Sequence, residues 1–414
     1  MMKRRVVITG MGAITSLGCG ADKLWQSIRQ GISGIRRIER IDVADLPTQV
    51  GAEVSDFDPN QFLEKKEIKR MDRFAQYALA ATQMAVDEAK LDFAKLNKER
   101  IGVIIGTGVG GIESIEHQHS VLLEKGTSRV SPFLVPMMLP NMAAGLIAIK
   151  YGVKGYTECT VAACASSSNA IGDAYKIIQR NAADMMIAGG TEAAITRLAL
   201  AGFCAMKAMT TNLDATTASR PFDLERDGFV LGEGAGTLII EELNHALLRG
   251  ATIIAEIVGY GCTNDAYHIT APAPGGEGAA HCMKLAIEDA VIEPSDIDYI
   301  NAHGTSTQLN DKNETDAIKT VFQKYAYELP VSSTKSMTGH LLGAAGAIEA
   351  IITAAALKEK FLPPTINYKT PDQECNLNYV PNEGKKAVLS YALTNSFGFG
   401  GHNAALVLKS YSSL

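Results

Sequence analysis

TVAACASSSNAIGDAYKII at residues 160–178 and STKSMTGHLLGAAGAIEAII at residues 333–352 share one plan: a small polar turn running straight into a helix that is small or apolar nearly all round. Helices of that kind cannot face water and belong at the centre of a protein. The likeness is of pattern, not of residues, and a second pair repeats it. IGVIIGTGVGG (101–111) and IDYINAHGTST (297–307) are each an apolar strand ending in a small-residue turn. Such self-similarity predicts a duplicated α/β unit. The halves are expected to meet near residue 250, giving an N-terminal unit over 1–250 that carries the first turn and a C-terminal unit over 251–414.

The rest of the chain agrees with alternating elements. Val- and Ile-rich runs predict strands at 5–9, 101–106, 184–188, 237–241, 252–260, 299–302, 387–392 and 404–408. Ala-rich runs predict helices at 69–89, 168–179, 279–290, 314–322 and 345–357. This alternation argues an α/β protein with buried sheets. Long loops, of the kind that often wall an active site, are expected over 111–130, 206–228 and 260–277. The 414 residues, 46% of them hydrophobic, exceed what one core usually organises. A net charge of −6 with no lysine-rich tail gives no sign of nucleic-acid binding. The opening MMKRRVVITGMGAITSLG imitates a signal peptide, but Thr9, Gly10 and Gly12 break its apolar run, and it reads as a strand ending in a Gly turn. No window reaches the length of a membrane span without polar interruption. Seven cysteines without a C-x-x-C pair indicate neither disulfides nor zinc, so a cytoplasmic setting is expected.

Within the repeated turns sit the reactive side chains. Cys164 follows a strand-like stretch and opens a helix, where backbone N–H groups favour an anion and can lower a thiol pKa from its usual value of about 8.5. A small buried core residue is the alternative for such a Cys. His303 (NAHGTST) and His340 (MTGHLLG) stand at the ends of comparable turns, where neutral imidazoles could donate to a developing oxyanion. Lys335, five residues before His340, needs a carboxylate if buried. Glu349 is the only charge between Leu341 and Leu357 and is the candidate partner, in a structural pair or a catalytic one. NSFGFGGHN (395–403) combines three glycines, able to aim backbone N–H groups at one point, with Phe397 and Phe399. No strand–G-x-G-x-x-G–helix unit or P-loop occurs, which argues against dinucleotide or nucleotide cofactors.

These segments resemble the β-ketoacyl-acyl carrier protein synthases, specifically the type II elongating enzymes. The resemblance runs nearly end to end, from RRVVITGMGAITSLG through ASRPFDLERDGFVLGEGAG, NAHGTSTQLND and VSSTKSMTGHLLGAAGAIEA to NSFGFGGHNAALVLK. It implies the thiolase-like five-layered αβαβα fold built from two halves. It also implies decarboxylative Claisen condensation of an acyl-carrier thioester with malonyl-acyl carrier protein, which elongates a fatty acid by two carbons. Cys164 would hold the acyl chain, the N–H groups of Cys164 and Phe399 would form the oxyanion hole, and His303 and His340 would stabilise the charge left by carbon dioxide. Lys335 would sit near the histidines and Glu349. Thr305 and Thr307 would contact the phosphopantetheine arm, which the carrier brings, so no cofactor of the enzyme's own is implied. Phe399 would gate the pocket, Phe397 would contact the substrate, Val109 would limit the pocket, and Phe133 would reach it from the partner subunit of a homodimer. In some members a monovalent cation lies near residues matching Asn301, Glu349 and Asn395.

The sequence departs from the family at Ala162, where Thr is common, at Ser167, where Gly or a small residue is frequent, and at Val109, where Ile is often found. A carrier protein is acidic, so docking calls for a local basic patch; Lys65, Lys66, Lys69 and Arg70, joined by Lys207, are the candidates, although Glu64 and Glu67 also suit an ordinary solvated surface. A discrete polyketide-type ketosynthase is the alternative activity. A thiolase would carry a second Cys in the C-terminal glycine loop, and FGFGGHNAAL has none. A starter-condensing synthase would usually show Asn for one His. A silent chain-length partner would lack Cys164.

Overall fold

The computed structural model describes residues 3–412. Two runs of elements follow one another in the same order. The first is β1 (Val6–Thr15), α1 (Arg73–Glu88), β2 (Ile101–Gly106), α2 (Ile112–Lys125), β3 (Thr157–Glu158), α3 (Ser166–Gln179), β4 (Met185–Glu192) and β5 (Gly234–Glu242). The second is β6 (Ala255–Asn264), α4 (Glu277–Ala290), β7 (Tyr299–Asn301), α5 (Gln308–Phe322), β8 (Val331–Ser332), α6 (Ala345–Glu359), β9 (Tyr391–Gly398) and β10 (His402–Ser410). Each half arranges its strands identically, and the two sets join in the order β8-β7-β9-β10-β6-β1-β5-β4-β2-β3. The seam is short: β1 meets β6 antiparallel through Val6, Val7 and Ile8 only. Outer helices α1 and α4 cover opposite faces, and α3 with α6 fill the space between the half-sheets. The expected αβαβα layering is what forms.

The central helices are as apolar in surroundings as in sequence. Every residue of α6 from Ala345 to Leu357 is buried. Small residues let these helices approach the strands: a Cβ on Gly106 would lie 2.5 Å from the Ser166 backbone, and one on Gly236 would lie 3.0 Å from Ala347. The Ser167 hydroxyl, one of the departures noted above, accepts from the Ala347 N–H at 2.9 Å and ties α3 to α6.

Several expectations need correction. β1 does not end in a Gly turn; it runs through Gly10 and Gly12 to Thr15. A Cβ on Gly12 would stand 1.9 Å from the Ala81 carbonyl oxygen of α1, so these glycines serve helix packing and not turning. Gly259 and Gly261 repeat the device in β6 against α4, with clearances of 2.1 Å to Ala286 and Cys282 oxygens. The expected loop over 111–130 is mostly helix α2, whose largely polar, exposed surface hides its periodicity. The expected loop over 260–277 begins with the last turns of strand β6, which reaches Asn264. The helix expected over 69–89 begins only at Arg73, because the Asp72 side chain accepts from Phe74 N–H and caps its start; Lys65–Ile68 is a separate short helix before it. The strand expected over 387–392 is displaced to Tyr391–Gly398, where it pairs with β7 and β10.

Candidate active site

The paired turns of the sequence fall at equivalent places. Cys164 lies in a one-turn helix, Ala163–Ala165, between β3 and α3. The matching turn, Leu342–Ala344, lies between β8 and α6 and follows His340. Ala163 (φ 48°) and Leu342 (φ 47°) both take the left-handed conformation that enters these turns. For residues with a Cβ this costs about 1–3 kcal/mol each, sustained by packing around the site. His303 follows β7, and its backbone N–H donates to Glu314 at 2.8 Å while that of Gly304 donates at 2.7 Å. His340 is strapped by backbone bonds to Val230 and Gly232.

These turns bring three side chains together. The Nε2 of His340 lies 3.0 Å from the Cys164 sulfur. That sulfur and one nitrogen of each imidazole all lie within 4.8 Å of one another. The two rings meet edge to face at 5.3 Å between centroids. Phe397 packs on His303 and Phe229 on His340. Lys335 Nζ lies 3.4 Å from His303 Nδ1 and forms a buried ion pair with Glu349. The backbone N–H groups of Phe399 and Cys164 lie near the sulfur and favour its anion. A pocket of about 600 Å³ opens on this cluster, walled by Val109, Phe203, Phe229, Leu342, Phe397 and Phe399, with Thr305 and Thr307 also on its lining.

Comparison with known proteins identifies the family to which this fold and sequence belong. A model of the β-ketoacyl synthase N-terminal domain matches residues 3–246, and one of its C-terminal domain matches 254–369. A 3-oxoacyl-[acyl-carrier-protein] synthase 2 from Synechocystis is 54% identical over 99% of both chains. One from Staphylococcus aureus is 53% identical over the same share. The chain belongs to the β-ketoacyl synthase family. Among solved structures, a β-ketoacyl synthase from Burkholderia phymatum superposes with a TM-score of 0.91 at 36% identity, covering 99% of this chain and all of that one. The ishigamide ketosynthase/chain length factor gives 0.94 at 36%, with the same coverage.

Electrostatics in this β-ketoacyl synthase corrects one expectation. Burial pushes the Cys164 thiol up to about 12, outweighing the opposing pull of Lys335 and the Phe399 N–H. The resting nucleophile is a thiol, not the thiolate expected from a helix N-terminus. Burial, helped by the Lys335 charge, holds both His303 and His340 well below their ordinary range, so both rings are neutral. An ammonium can only donate, so Lys335 makes His303 Nδ1 an acceptor and leaves the ring proton on Nε2. His340 has no such lock, since its Nδ1 has no hydrogen-bond partner. A cysteine with two histidines has the composition of a soft-metal site. Here, however, the Lys335 contact keeps the pocket-facing nitrogen of His303 protonated and sets a positive charge beside the position an ion would take.

Of the residues expected from sequence, Cys164, His303, His340, Val109, Thr305, Thr307, Phe397, Phe399 and Lys207 line one pocket. Lys335 and Glu349 lie directly behind it, fully buried. Phe133 does not line the pocket of its own chain; its ring lies under the Arg70 guanidinium at 4.7 Å. Lys65, Lys66, Lys69 and Arg70 are exposed along the short helix 65–68 and just after it. Two buried carboxylates were missed. Glu314 holds the His303 turn, and Glu192 holds the turn carrying Val109. Glu314 stands in QLNDKNETDAIK, which looks like a solvated helix face.

Proposed function

We propose that this β-ketoacyl synthase elongates acyl chains on acyl carrier protein, and that Cys164, His303 and His340 perform the chemistry. The observation that carries the reading is the Cys164–His340 contact of 3.0 Å, with His303 beside it and its ring proton held on Nε2. In the first half-reaction the sulfur attacks the acyl thioester. His340, free to change tautomer, takes the thiol proton and passes it to the departing phosphopantetheine thiol. In the second, malonyl-carrier loses carbon dioxide, and the enolate oxygen receives N–H donors from both rings. The carbanion attacks the acyl-Cys164 carbonyl, whose oxygen is held by the N–H groups of Cys164 and Phe399. Collapse expels the Cys164 thiolate, releases the 3-oxoacyl-carrier, and one solvent proton restores the thiol.

The gate role of Phe399, the substrate contact of Phe397, the pantetheine contacts of Thr305 and Thr307, and the limiting role of Val109 draw support from their places on the pocket wall. Pairing into a homodimer is supported by the exposed edge strand β3 and the apolar surface near it, with Tyr156, Val161 and Ile149 uncovered. The partner's Phe133 would then reach the acyl pocket. Asn301 Oδ1, Glu349 Oε2 and Asn395 Oδ1 are buried oxygens without partners, a donor set that fits a hard monovalent cation. Such an ion would add positive charge beside Glu349.

Incubation with malonyl-carrier and acyl-carriers of graded length is expected to yield 3-oxoacyl-carriers two carbons longer. Absence of such products from any length would defeat the reading. Carrier docking is assigned to Lys65, Lys66, Lys69 and Arg70, with Lys207 at the pocket mouth. Reversing the charge at Lys66 and Lys69 should raise KM for carrier substrates several-fold at low salt and much less at high salt, with kcat unchanged. An unchanged KM at low salt would place docking elsewhere.

A further inference from the structure

Duplication gives the molecule two copies of the nucleophile turn, and the second is filled. In the first copy the Cys164 N–H, with that of Phe399 from the end of β9, converges on the sulfur side of the pocket. The residue matching Cys164 in the second copy is Gly343. Its N–H donates at 2.9 Å to Glu192, which ends β4, the strand matching β9. The Glu192 carboxylate also accepts from Thr107 Oγ1 at 3.0 Å, Gly108 N–H at 2.7 Å and Val109 N–H at 3.3 Å. It is wholly buried and forms no salt bridge among the described residues. Four donors therefore converge on one carboxylate that joins two turns from opposite halves. Those turns are in backbone contact, since a Cβ on Gly343 would stand 2.2 Å from Gly108 N. Each supplies an apolar wall of the pocket, Val109 from one and Leu342 from the other.

We propose that Glu192 is a positioning residue that fixes Val109 and Leu342 against each other and thereby sets the acyl length the pocket accepts. The inference rests on the condensation activity proposed above. Glutamine at 192 keeps the shape but aims an NH₂ at a cluster of donors, so at least one of the four bonds is lost. Thr107→Val removes the hydroxyl, which donates to the carboxylate and accepts from the Gly110 N–H at 3.2 Å, and leaves the carboxylate with its three backbone donors.

The test is steady-state kinetics of the full-length protein with short, medium and long acyl-carriers. Glu192→Gln is expected to change the long-to-short ratio of kcat/KM by about tenfold, the scale on which pocket fit discriminates methylenes. KM for malonyl-carrier should stay near the wild-type value. Thr107→Val should move the ratio in the same direction by a smaller factor. A uniform fall at every length, or an unchanged ratio in folded protein, would overturn the proposal. Should Glu192→Gln fail to fold, Thr107→Val decides, and an unaltered ratio there overturns it. Wild-type protein that condenses nothing would instead defeat the underlying activity.

Discussion

Cys164→Ala should lower condensation by at least about 10⁴-fold, the scale on which losing a covalent nucleophile acts, equivalent to more than about 5 kcal/mol in the barrier. No substitute is at hand. The other cysteines lie outside the pocket, and the Thr305 and Thr307 hydroxyls bond each other at 2.9 Å. The sulfur is also the atom that His340 meets at 3.0 Å, with the Phe399 N–H near it, so without Cys164 these donors lose the acyl group they would act on. Cys164→Gln should behave differently. Its carboxamide imitates the acylated side chain and leaves both imidazoles in place, so malonyl decarboxylation should continue while condensation stops. The two variants separate the half-reactions: mass spectrometry reads the acyl adduct, and released carbon dioxide reads decarboxylation. Product from the alanine variant, or a glutamine variant silent in decarboxylation, would remove Cys164 from its assigned role.

What the sequence made legible follows from where the signal was local. The all-round apolar helices α3 and α6 could be nothing but central, and the repeated turns before them placed Cys164 and His340 at equivalent points. Glu349 stood out because it is the only charge in a long apolar run, and Lys335, in the small polar segment before that helix, needed a carboxylate if buried. Glu314 and Glu192 did not stand out, because composition reveals that a carboxylate exists and not that three or four hydrogen-bond donors surround it. The Gly10–Gly12 and Gly259–Gly261 pairs were visible but ambiguous, since glycine serves a turn and a close helix equally well. The thiol was misjudged for a related reason. A helix N-terminus is readable in sequence, whereas the depth of burial that overrides it depends on residues from both halves. The family's wide resemblance supplied the roles of residues whose contacts come only from tertiary structure.

The pair behind the histidines gives the second large effect, and its two consequences can be pulled apart. Lys335 and Glu349 are 1% and 2% exposed. Removing one partner of such a pair strands the other, at about 3–5 kcal/mol. The two directions should differ. Burial already raises Glu349 to about 7 against the pull of Lys335, so after Lys335→Met the carboxyl protonates and softens the loss. Glu349→Leu leaves an ammonium among neutral imidazoles and should cost more in urea unfolding. The double variant Lys335→Met/Glu349→Leu strands neither charge and should recover most of the stability, a coupling that the four-protein cycle measures directly. Activity should not recover with it. Without Lys335, His303 Nδ1 has no donor, the proton is no longer held on Nε2, and decarboxylation should fall about 10²–10³-fold, as when one oxyanion donor is removed. Recovery of both stability and decarboxylation in the double variant would show that the pair only fills space. Stability regained with decarboxylation still lost would assign Lys335 the orientation of His303.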